Sequence, residues 1–428
     1  MLDIKFIRDN KDLIKEGSRK KRMDFDVEKL LTADDKRKEL MTLVENKRAE
    51  QNVASEKIAK AQTNEERQAL IDSMQDVKKA LQESEEKLKE VMKEWQLLMV
   101  QVPNIPDISV PEGESDADNR EVKTWGEKPS FTFTPKSHVE LMQNLDMVDL
   151  DRGTKVAGFR GYFLKNDGAL LSFAIWQAAL EHFMTKRFTP MIVPSLVKRE
   201  TLMGSGYLPQ GEEDLYKTQD GDFLAGTAEV ATMGFHSNEI LDLKELPKKF
   251  LSFSPCFRRE AGSHGKDVKG LIRVHEFYKV EQVVLCEASH EESVKQHEAV
   301  NRNTEEFIEL LGIPYHTVIN CGGDLGLGQV KKYDIELWVP GENTYREISS
   351  ASYFHDFQTR RLNIRYRDAE EKMKYAHSLN STAIPTPRIL VSLVENFQQA
   401  DGSITIPAIL RKYMGGKEKI ENVQKVTT

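Results

Sequence analysis

The residues best suited to chemistry flank a glycine-punctuated loop. Arg258 and Glu260 follow a strand-like run, Phe277 begins the next one, and the loop between them carries Lys266 and Lys269. An arginine at a strand end can clamp a phosphate through two parallel hydrogen bonds. A glutamate two residues further along a strand shares its face and can accept a hydrogen bond from a base amino group. With Phe277 as a flat surface for a purine, the cluster predicts a nucleotide site, although a plain charged hairpin would carry the same residues.

Two further clusters carry groups that suit phosphate chemistry. Glu347 and Ser349 are two residues apart in a strand-like segment, so we expect them to share a face that could hold Mg²⁺ and phosphate oxygens. Arg388 stands in the first turn of a helix-like stretch, where the positive end of the helix also favours phosphate. Taken singly, an ion-paired strand glutamate and a solvated helix-end arginine explain both clusters equally well.

The elements that must position these residues alternate between strands and helices. Strand-like runs bounded by glycine and proline cover Phe250 to Phe257, Phe277 to Leu285 and Asp334 to Val339. Helix-like stretches cover Leu170 to Arg187, Glu291 to Leu311 and Ile389 to Gln399. Because consecutive strands are joined by short turns, the sequence predicts an α+β fold with an antiparallel sheet flanked by helices.

The amino-terminal part has a different character. Residues 34–98 contain no proline and no glycine, so nothing interrupts a helix there. Apolar residues recur at alternating steps of four and three in two stretches, separated by a short polar turn in which Thr63 or Asn64 would cap the second helix. The seam positions are Leu40, Val44, Lys47, Gln51, Ala54, Ile58 and Ala61, then Leu70, Met74, Val77, Leu81, Ser84, Leu88, Val91, Trp95 and Leu98. The pattern predicts a long antiparallel helical hairpin, with a parallel dimeric coiled coil as the alternative.

The charges of this segment are unevenly distributed. The first leg, residues 36–60, has seven basic and four acidic residues. A second basic cluster, Lys15, Arg19, Lys20, Lys21 and Arg22, would lie near the base of the hairpin. Such runs are commonly solvated faces, but a phosphate backbone along the first leg is the sharper hypothesis.

Composition limits the classes of protein that fit. The 428 residues carry a net charge of −8 and are 39% hydrophobic, which argues against a basic, coat-like nucleic-acid binder. The longest apolar stretch, from Gly168 to Leu180, is too short to cross a bilayer, and the first residues do not resemble a signal peptide. Three scattered cysteines fit a reducing compartment. We therefore expect a cytoplasmic protein without a membrane partner.

The motifs, in this order, resemble those of bacterial-type seryl-tRNA synthetases, which are class II aminoacyl-tRNA synthetases. The resemblance covers nearly all of residues 1–415 and rests on the hairpin, VPNIPD, FRREAGSHGKDVKGLIRVHEF, NTYREISS and ENFQQADGSITIPAILRKYM. It implies a tRNA-binding arm at 1–101, a linker at 102–126, a class II catalytic domain at 127–415 and a tail at 416–428. The helix before Arg187 and the strand around residues 190–194 correspond to the part that builds a homodimer interface in this family.

The resemblance also implies the reaction and the residues that perform it. The chain would join L-serine to tRNA(Ser) through a seryl-adenylate formed from ATP. Members of this family generally also serylate tRNA(Sec), so the resemblance implies that substrate as well. Arg258 and Arg388 would be catalytic, Glu347 and Ser350 would hold Mg²⁺, and Phe277 would stack on the adenine. The implied ATP site is Arg258, Arg259, Glu260, Phe277, Glu347, Ile348, Ser349, Ser350 and Arg388. The implied serine site is Thr227, Ala228, Glu229, Arg258, Glu281 and Thr382.

One segment departs from the family pattern, and two other functions stay open. The third motif, residues 380–388, lacks the glycines that many members carry there. One alternative is a synthetase-like paralogue that activates a small amino acid for a carrier protein. The other is a coiled-coil interaction protein with an inactive synthetase domain. The long hairpin argues against the first alternative, and the retained arginines and glutamates argue against the second.

Overall fold

The chain forms two compact units in a computed structural model that describes residues 1–262, 265, 267 and 269–421. The helical unit comprises Met1–Arg19 and Met23–Pro103. The sheet unit comprises Lys20–Arg22 together with the chain from Asn104 onward. Lys266 of the predicted loop and the last seven residues of the predicted tail lie outside the described residues.

The helical unit is built on a hairpin of two long helices. Its helices are Ile4–Asp9 (α1), Lys11–Lys20 (α2), Val27–Lys60 (α3) and Asn64–Met99 (α4). The side chain of Thr63 caps α4 by accepting a hydrogen bond from the Glu66 backbone N–H at 3.2 Å. The predicted breaks in the helical pattern are therefore confirmed to within a few residues.

The two long helices run antiparallel within one chain. Arg48 of α3 pairs with Glu85 of α4 at 2.7 Å, and the Arg37 guanidinium lies 4.6 Å from the ring centroid of Trp95. Every predicted seam position is buried or half-buried, including the polar Lys47 and Gln51. The antiparallel hairpin is confirmed, because each leg covers the seam of the other without a second chain.

The sheet unit contains the remaining elements. Its helices are His138–Asn144 (α5), Leu150–Ala157 (α6), Asp167–Met184 (α7), Arg199–Ser205 (α8), Ala228–Gly234 (α9), His290–Leu311 (α10), Phe357–Leu362 (α11), Arg388–Asn396 (α12) and Ala408–Arg411 (α13). Its strands are Arg120–Trp125 (β1), Val148–Asp149 (β2), Phe163–Leu164 (β3), Thr189–Ile192 (β4), Leu196–Val197 (β5), Tyr216–Lys217 (β6), Phe223–Leu224 (β7), Ile240–Leu241 (β8), Lys248–Phe257 (β9), Glu276–Cys286 (β10), Tyr315–Ile319 (β11), Lys331–Val339 (β12), Thr344–His355 (β13), Arg365–Arg367 (β14), Met373–Tyr375 (β15), His377–Thr386 (β16), Ile404–Thr405 (β17) and Lys419–Ile420 (β18).

An eight-stranded sheet with the order β1-β11-β12-β13-β16-β10-β9-β4 organises this unit. Only the edge pair β4 and β9 is parallel within it, and the other neighbours are antiparallel. The α+β prediction is confirmed. The predicted strands and helices reappear with boundaries shifted by no more than three residues, because turn residues mark their ends in the sequence.

The two faces of the sheet have different environments. Val280 and Val284 of β10 join the main hydrophobic core, which also takes Ile175 of α7, Val300 of α10 and Leu393 of α12. Lys279 and Glu281 alternate with them and lie on the opposite face. The main core therefore covers one face of β10. On the other face, Val283 and Leu285 join a smaller apolar cluster with Met233 of α9 and Leu362 of α11, and the polar Lys279 and Glu281 lie beside it.

The predicted linker at 102–126 contains ordered elements from Asn104 onward, which is where the chain enters the sheet unit. Residues 120–125 form the edge strand β1, which pairs with β11, and the Asn104 side chain donates to the Gly328 and Phe354 carbonyls. The linker bounds at 102–126 stay a prediction. Residues 419–420, predicted as tail, pair with β17.

In the part of the chain that the structure describes, no helix combines the length and the apolarity that crossing a membrane requires.

Candidate active site

The face of β10 that carries Lys279 and Glu281 opens into a cavity of about 300 Å³, which we call the carboxylate cavity. Glu229 comes from the first turn of α9, and Lys279 and Glu281 come from β10. Its lining includes Tyr207, Thr227, Glu229, Arg258, Lys279, Glu281, residues 326–329, Glu347, Ser350, Asn380 and Thr382.

A closed network of hydrogen bonds holds the floor of the carboxylate cavity. The Lys279 ammonium donates to the Thr227 hydroxyl at 2.5 Å and to Glu281 Oε1 at 3.0 Å. The Thr227 hydroxyl donates to Glu281 Oε2 at 2.6 Å, and the Glu229 backbone N–H donates to the same oxygen at 2.9 Å. Glu281 is only 2% exposed, so its charge is compensated inside the protein.

Glu229 is buried without a cationic hydrogen-bond donor on its carboxylate in the described chain. The Tyr207 hydroxyl donates to its Oε2 at 2.9 Å, and the Gln358 amide donates to its Oε1 at 2.5 Å. Burial and the neighbouring charge of Glu281 raise the pKa of Glu229 to about 7. This carboxyl group therefore gains or loses its proton near neutral pH and can take a cationic ligand once ionised.

A second recess of about 60 Å³, which we call the arginine cleft, adjoins this cavity. Its lining includes Arg258, Glu260, residues 271–274, Phe277, Lys279, Glu347, Ile348, Thr382 and Arg388. Arg388 is the first residue of α12, as predicted. Its Nε donates to the Ile272 carbonyl at 2.9 Å and its Nη1 donates to the Glu347 carbonyl at 3.0 Å. Neutral backbone acceptors thus fix the guanidinium, which forms no salt bridge within the described residues, and the carboxylates of Glu347 and Glu260 act on its charge only through space.

Arg258 and Glu260 reach the arginine cleft by a different route from the one predicted. Strand β9 ends at Phe257, and Glu260 has a φ of 55°, so the two residues do not share a strand face. A turn brings Glu260 into the cleft, where Arg273 contacts its carboxylate at 3.0 Å. Arg258 donates to the Gly226 carbonyl at 3.3 Å, and its guanidinium lies 5.3 Å from the ring centroid of Phe277.

The two recesses share part of their walls. Arg258, Lys279, Glu347 and Thr382 line both of them. A ligand group in the carboxylate cavity and one in the arginine cleft can therefore meet at Arg258. An anion formed or displaced at this junction would be stabilised by guanidinium groups already held in place.

The structure brings together most of the residues predicted for the site, but not all of them. Ser349 does not line the carboxylate cavity. A bulge at Ile348 shifts the register between β12 and β13, so Glu347 shares the cavity with Ser350 instead. The prediction that Glu347 and Ser349 share a face is wrong, and the Ser349 hydroxyl donates to the Thr382 carbonyl. Among the described residues, neither Arg259, which donates to the Glu213 carbonyl, nor the buried Ala228 lines either recess.

Several residues that line the carboxylate cavity or hold Glu229 escaped prediction. Lys279 had a local signal, since it stands two residues before Glu281 in a strand and therefore shares its face. Asn380 lies two residues before Thr382 and carried a similar signal. Tyr207 and Gln358 had none, because they reach Glu229 from distant parts of the chain.

Comparisons with known proteins agree with this architecture. The family model described as "tRNA synthetase class II core domain (G, H, P, S and T)" matches residues 216–397. The family model described as "Seryl-tRNA synthetase N-terminal domain" matches residues 1–106. The chain is 46% identical to a serine--tRNA ligase of Deinococcus radiodurans over 98% of both chains. It superposes on a seryl-tRNA synthetase of Pyrococcus horikoshii with a TM-score of 0.89 and 38% identity, covering 99% of this chain and 100% of that one. A serine-tRNA ligase of Naegleria fowleri gives a TM-score of 0.86 and 31% identity over 99% of both chains.

The antiparallel sheet with its paired recesses and the matching core model define a class II aminoacyl-tRNA synthetase. The full-length relatives narrow this class further. The chain belongs to the seryl-tRNA synthetase family, whose members are serine--tRNA ligases.

Proposed function

We propose that this chain activates L-serine with ATP to a seryl-adenylate and then transfers the seryl group to tRNA(Ser). The carboxylate cavity holds serine and the arginine cleft holds ATP. The observation that carries this proposal is the shared wall at Arg258, because it lets the serine carboxylate meet the α-phosphate of ATP. Attack of a carboxylate oxygen on that phosphorus releases pyrophosphate, and a ribose hydroxyl of the tRNA then attacks the activated carbonyl.

Serine is recognised by the charges and hydroxyl partners of the carboxylate cavity. Ionised Glu229 pairs with the serine ammonium, and Glu281 accepts a hydrogen bond from the serine hydroxyl. Thr227 and Thr382 supply hydroxyl groups in the same cavity, and Asn380 adds an amide. Alanine lacks the hydroxyl group that would bond to Glu281, and sites built to bond a substrate hydroxyl discriminate against such analogues by about 10⁴-fold or more.

ATP is held by the arginine cleft. Arg258 clamps the α-phosphate and Arg388 the γ-phosphate end, while Glu260 reads the adenine amino group and Phe277 stacks on the ring. The Pyrococcus horikoshii structure is a complex with ATP and the Naegleria fowleri structure is a complex with AMP, which supports a nucleotide at the equivalent place. We retain Arg259, Ile348 and Ser349 as proposed ATP contacts, with Ser349 the weakest because its hydroxyl is already engaged.

Glu347 and Ser350 fit a magnesium ion that arrives with ATP. Both are oxygen donors in the same cavity, as Mg²⁺ prefers. Within the described residues, no group of three or more His, Cys, Asp and Glu side chains could hold a metal. Phosphate oxygens and water must then complete the coordination shell. When bound, the ion would neutralise charge on the phosphates.

The hairpin binds the tRNA. The first leg is locally basic, and Lys36, Lys57 and Lys60 are exposed along it, which suits contacts to a phosphate backbone. We propose that it grips the long variable arm of tRNA(Ser), and that tRNA(Sec) is serylated as well. An enzyme with these substrates works where tRNA is used, so we place it in the cytoplasm.

The enzyme is proposed to be a homodimer through α7 and β4. Phe173 of α7 is 56% exposed, Ile192 of β4 is 88% exposed, and an apolar groove of about 660 Å³ includes Phe173 and Trp176. Exposed apolar surface of this extent favours burial against a second copy. Sedimentation measurements that compare the oligomeric state of the wild type with that of Phe173→Asp test this interface.

Two measurements test the function. ATP–pyrophosphate exchange with each amino acid in turn should respond to serine, whereas exchange only with threonine or alanine would overturn the assignment. Deleting residues 32–98 should spare this exchange and abolish tRNA charging. Replacing the exposed first-leg residues in Lys57→Glu/Lys60→Glu should raise the KM for tRNA more than Lys79→Glu/Lys87→Glu on the second leg.

A further inference from the structure

The glycine-containing loop Gly326 to Gln329 forms one wall of the carboxylate cavity. It joins β11 to β12 and does not contribute to the lining of the arginine cleft among the described residues. Gly328 packs so tightly that an added Cβ would lie 2.6 Å from the Phe357 ring. Phe357 also lines the cavity. The position of this loop therefore affects the shape of the carboxylate cavity and not that of the arginine cleft, where the two arginines would bind the phosphates of ATP.

Lys21 holds the loop from behind. Its ammonium donates to the carbonyls of Gly326 at 3.0 Å, Leu327 at 2.9 Å and Gln329 at 2.6 Å. The sequence placed Lys21 in a basic surface cluster, but it is only 2% exposed and belongs to the sheet unit. Burial lowers the pKa of the Lys21 ammonium, while the three acceptors use all three of its protons.

Asn104 completes the attachment. Its side-chain amide donates to the Gly328 carbonyl at 3.0 Å and to the Phe354 carbonyl at 2.8 Å, and its backbone N–H donates to the Leu327 carbonyl at 2.8 Å. Every carbonyl from Gly326 to Gln329 thus has a donor on Lys21 or Asn104. The Gly326 carbonyl also accepts from the Gln329 backbone N–H at 3.2 Å. Without Lys21 and Asn104, the other carbonyls of the loop would stay unpaired or the loop would turn to reach water.

We infer that Lys21, assisted by Asn104, is a positioning residue of the amino-acid site that fixes the wall at residues 326–329 for serine. The inference rests on the proposed function, because it assumes that the carboxylate cavity receives serine. Lys21 does not touch the substrate. It acts through the loop, so its loss should weaken serine binding and leave ATP binding in place.

The test compares Lys21→Met with Lys20→Met in serine-dependent ATP–pyrophosphate exchange. Methionine keeps the length of the side chain and removes the three donors, and the half-buried neighbour Lys20 controls for a lost lysine. We expect Lys21→Met to raise the KM for serine by about tenfold to 100-fold, since misplacement by about 1 Å can cost that much. The KM for ATP should change less than about twofold, and Lys20→Met should match the wild type in both constants.

The ratio of the two KM changes separates positioning from general damage. Equal rises in the KM for serine and for ATP, or no change in either, would overturn the inference. If Lys21→Met does not fold, as judged by its melting curve, Asn104→Ala decides by the same ratio with the ammonium still in place. A wild type that shows no serine-dependent exchange would refute the proposed function instead.

Discussion

The carboxylate cavity and the arginine cleft share four wall residues but treat charge in opposite ways. In the cavity, Lys279 and Glu281 compensate each other at 3.0 Å, and neutral donors hold Glu229. In the cleft, Arg388 and Arg258 donate to backbone carbonyls, which carry no net charge. The cavity thus offers compensated charge for a small zwitterion, whereas the cleft keeps net positive charge for phosphates. In the proposed function, the selection of serine and its activation with ATP are thus assigned to adjacent but electrostatically distinct recesses.

The largest effect is expected from the cleft. Arg388→Ala removes a guanidinium that forms no salt bridge within the described residues, so kcat/KM for ATP in serine-dependent exchange should fall by about 10³-fold or more, the range seen for arginines that stabilise phosphoryl charge. Arg388→Lys should recover part of the loss, because the charge returns without the two-pronged geometry. If kcat/KM for ATP falls by less than about tenfold in Arg388→Ala, the arginine cleft does not differ from the carboxylate cavity in the way proposed.

The next effect lies in the cavity and also involves stability. Glu281→Gln leaves the Lys279 ammonium buried without its carboxylate, so the free energy of unfolding should fall by about 3 kcal/mol. The rate of ATP–pyrophosphate exchange at a low serine concentration should fall by about 10²-fold or more, because the amide introduced by Glu281→Gln is a weaker acceptor for the serine hydroxyl than the Glu281 carboxylate. Thermal melts and kinetics measure both effects. The double variant Lys279→Met/Glu281→Gln should melt closer to the wild type than Glu281→Gln alone, and a lower melting temperature would contradict charge compensation.

A smaller effect follows from the pKa of Glu229. Because this pKa is about 7, the carboxyl is protonated below neutrality and must ionise to pair with serine. The KM for serine should therefore rise about fivefold from pH 7 to pH 6, because the ionised fraction of Glu229 falls from about one half to about one eleventh. In Glu229→Gln the KM should be high and nearly flat over this range. A wild-type profile as flat as that of the variant would show that Glu229 does not take the ammonium.

The same pKa has a consequence for stability. The folded state binds the Glu229 proton more tightly than the unfolded state, whose pKa lies near 4.5. The stabilising contribution is complete below pH 4.5 and is lost as pH rises through about 7. Unfolding of Glu229→Gln should lack this component when it is compared with the wild type between pH 5 and pH 8.

The smallest effect distinguishes two adjacent serines. Ser350→Ala should lower exchange about two- to tenfold, the range for one lost hydrogen bond, because Ser350 lines the cavity. Ser349→Ala should leave exchange nearly unchanged and lower stability by about 1 kcal/mol, since its buried hydroxyl donates to a backbone carbonyl. If Ser349→Ala lowered exchange more than Ser350→Ala did, the bulge would not determine which serine contacts ATP.

Local patterns predicted the hairpin in detail. Each seam position from Leu40 to Leu98 is buried or half-buried, and Thr63 caps the second helix. Helical periodicity and capping depend on residues within a few positions of one another, so the chain specifies them without knowledge of distant contacts. The strands and the positions of Arg258, Glu347 and Arg388 could be predicted from the sequence for the same reason.

Pairing between distant segments decided the rest. The bulge at Ile348 replaced Ser349 by Ser350 because register depends on the partner strand, and a one-residue slip reverses every side chain. Glu260 reached the cleft through a turn with positive φ, which a strand pattern does not reveal. Residues 120–125, within the predicted linker, pair with β11 as an edge strand, and that pairing depends on a partner about 190 residues away along the chain.

The sequence by itself determined the hairpin, the order of the elements and the identity of the charged groups, since these depend on neighbours along the chain. Only the tertiary structure decided which of those groups are compensated. The sequence places Lys21 in a basic cluster and Lys279 in a predicted strand, and folding buries both lysines and surrounds them with oxygen acceptors. Burial and the partners it brings together set the charge of a site, and neither is encoded in any short stretch of sequence.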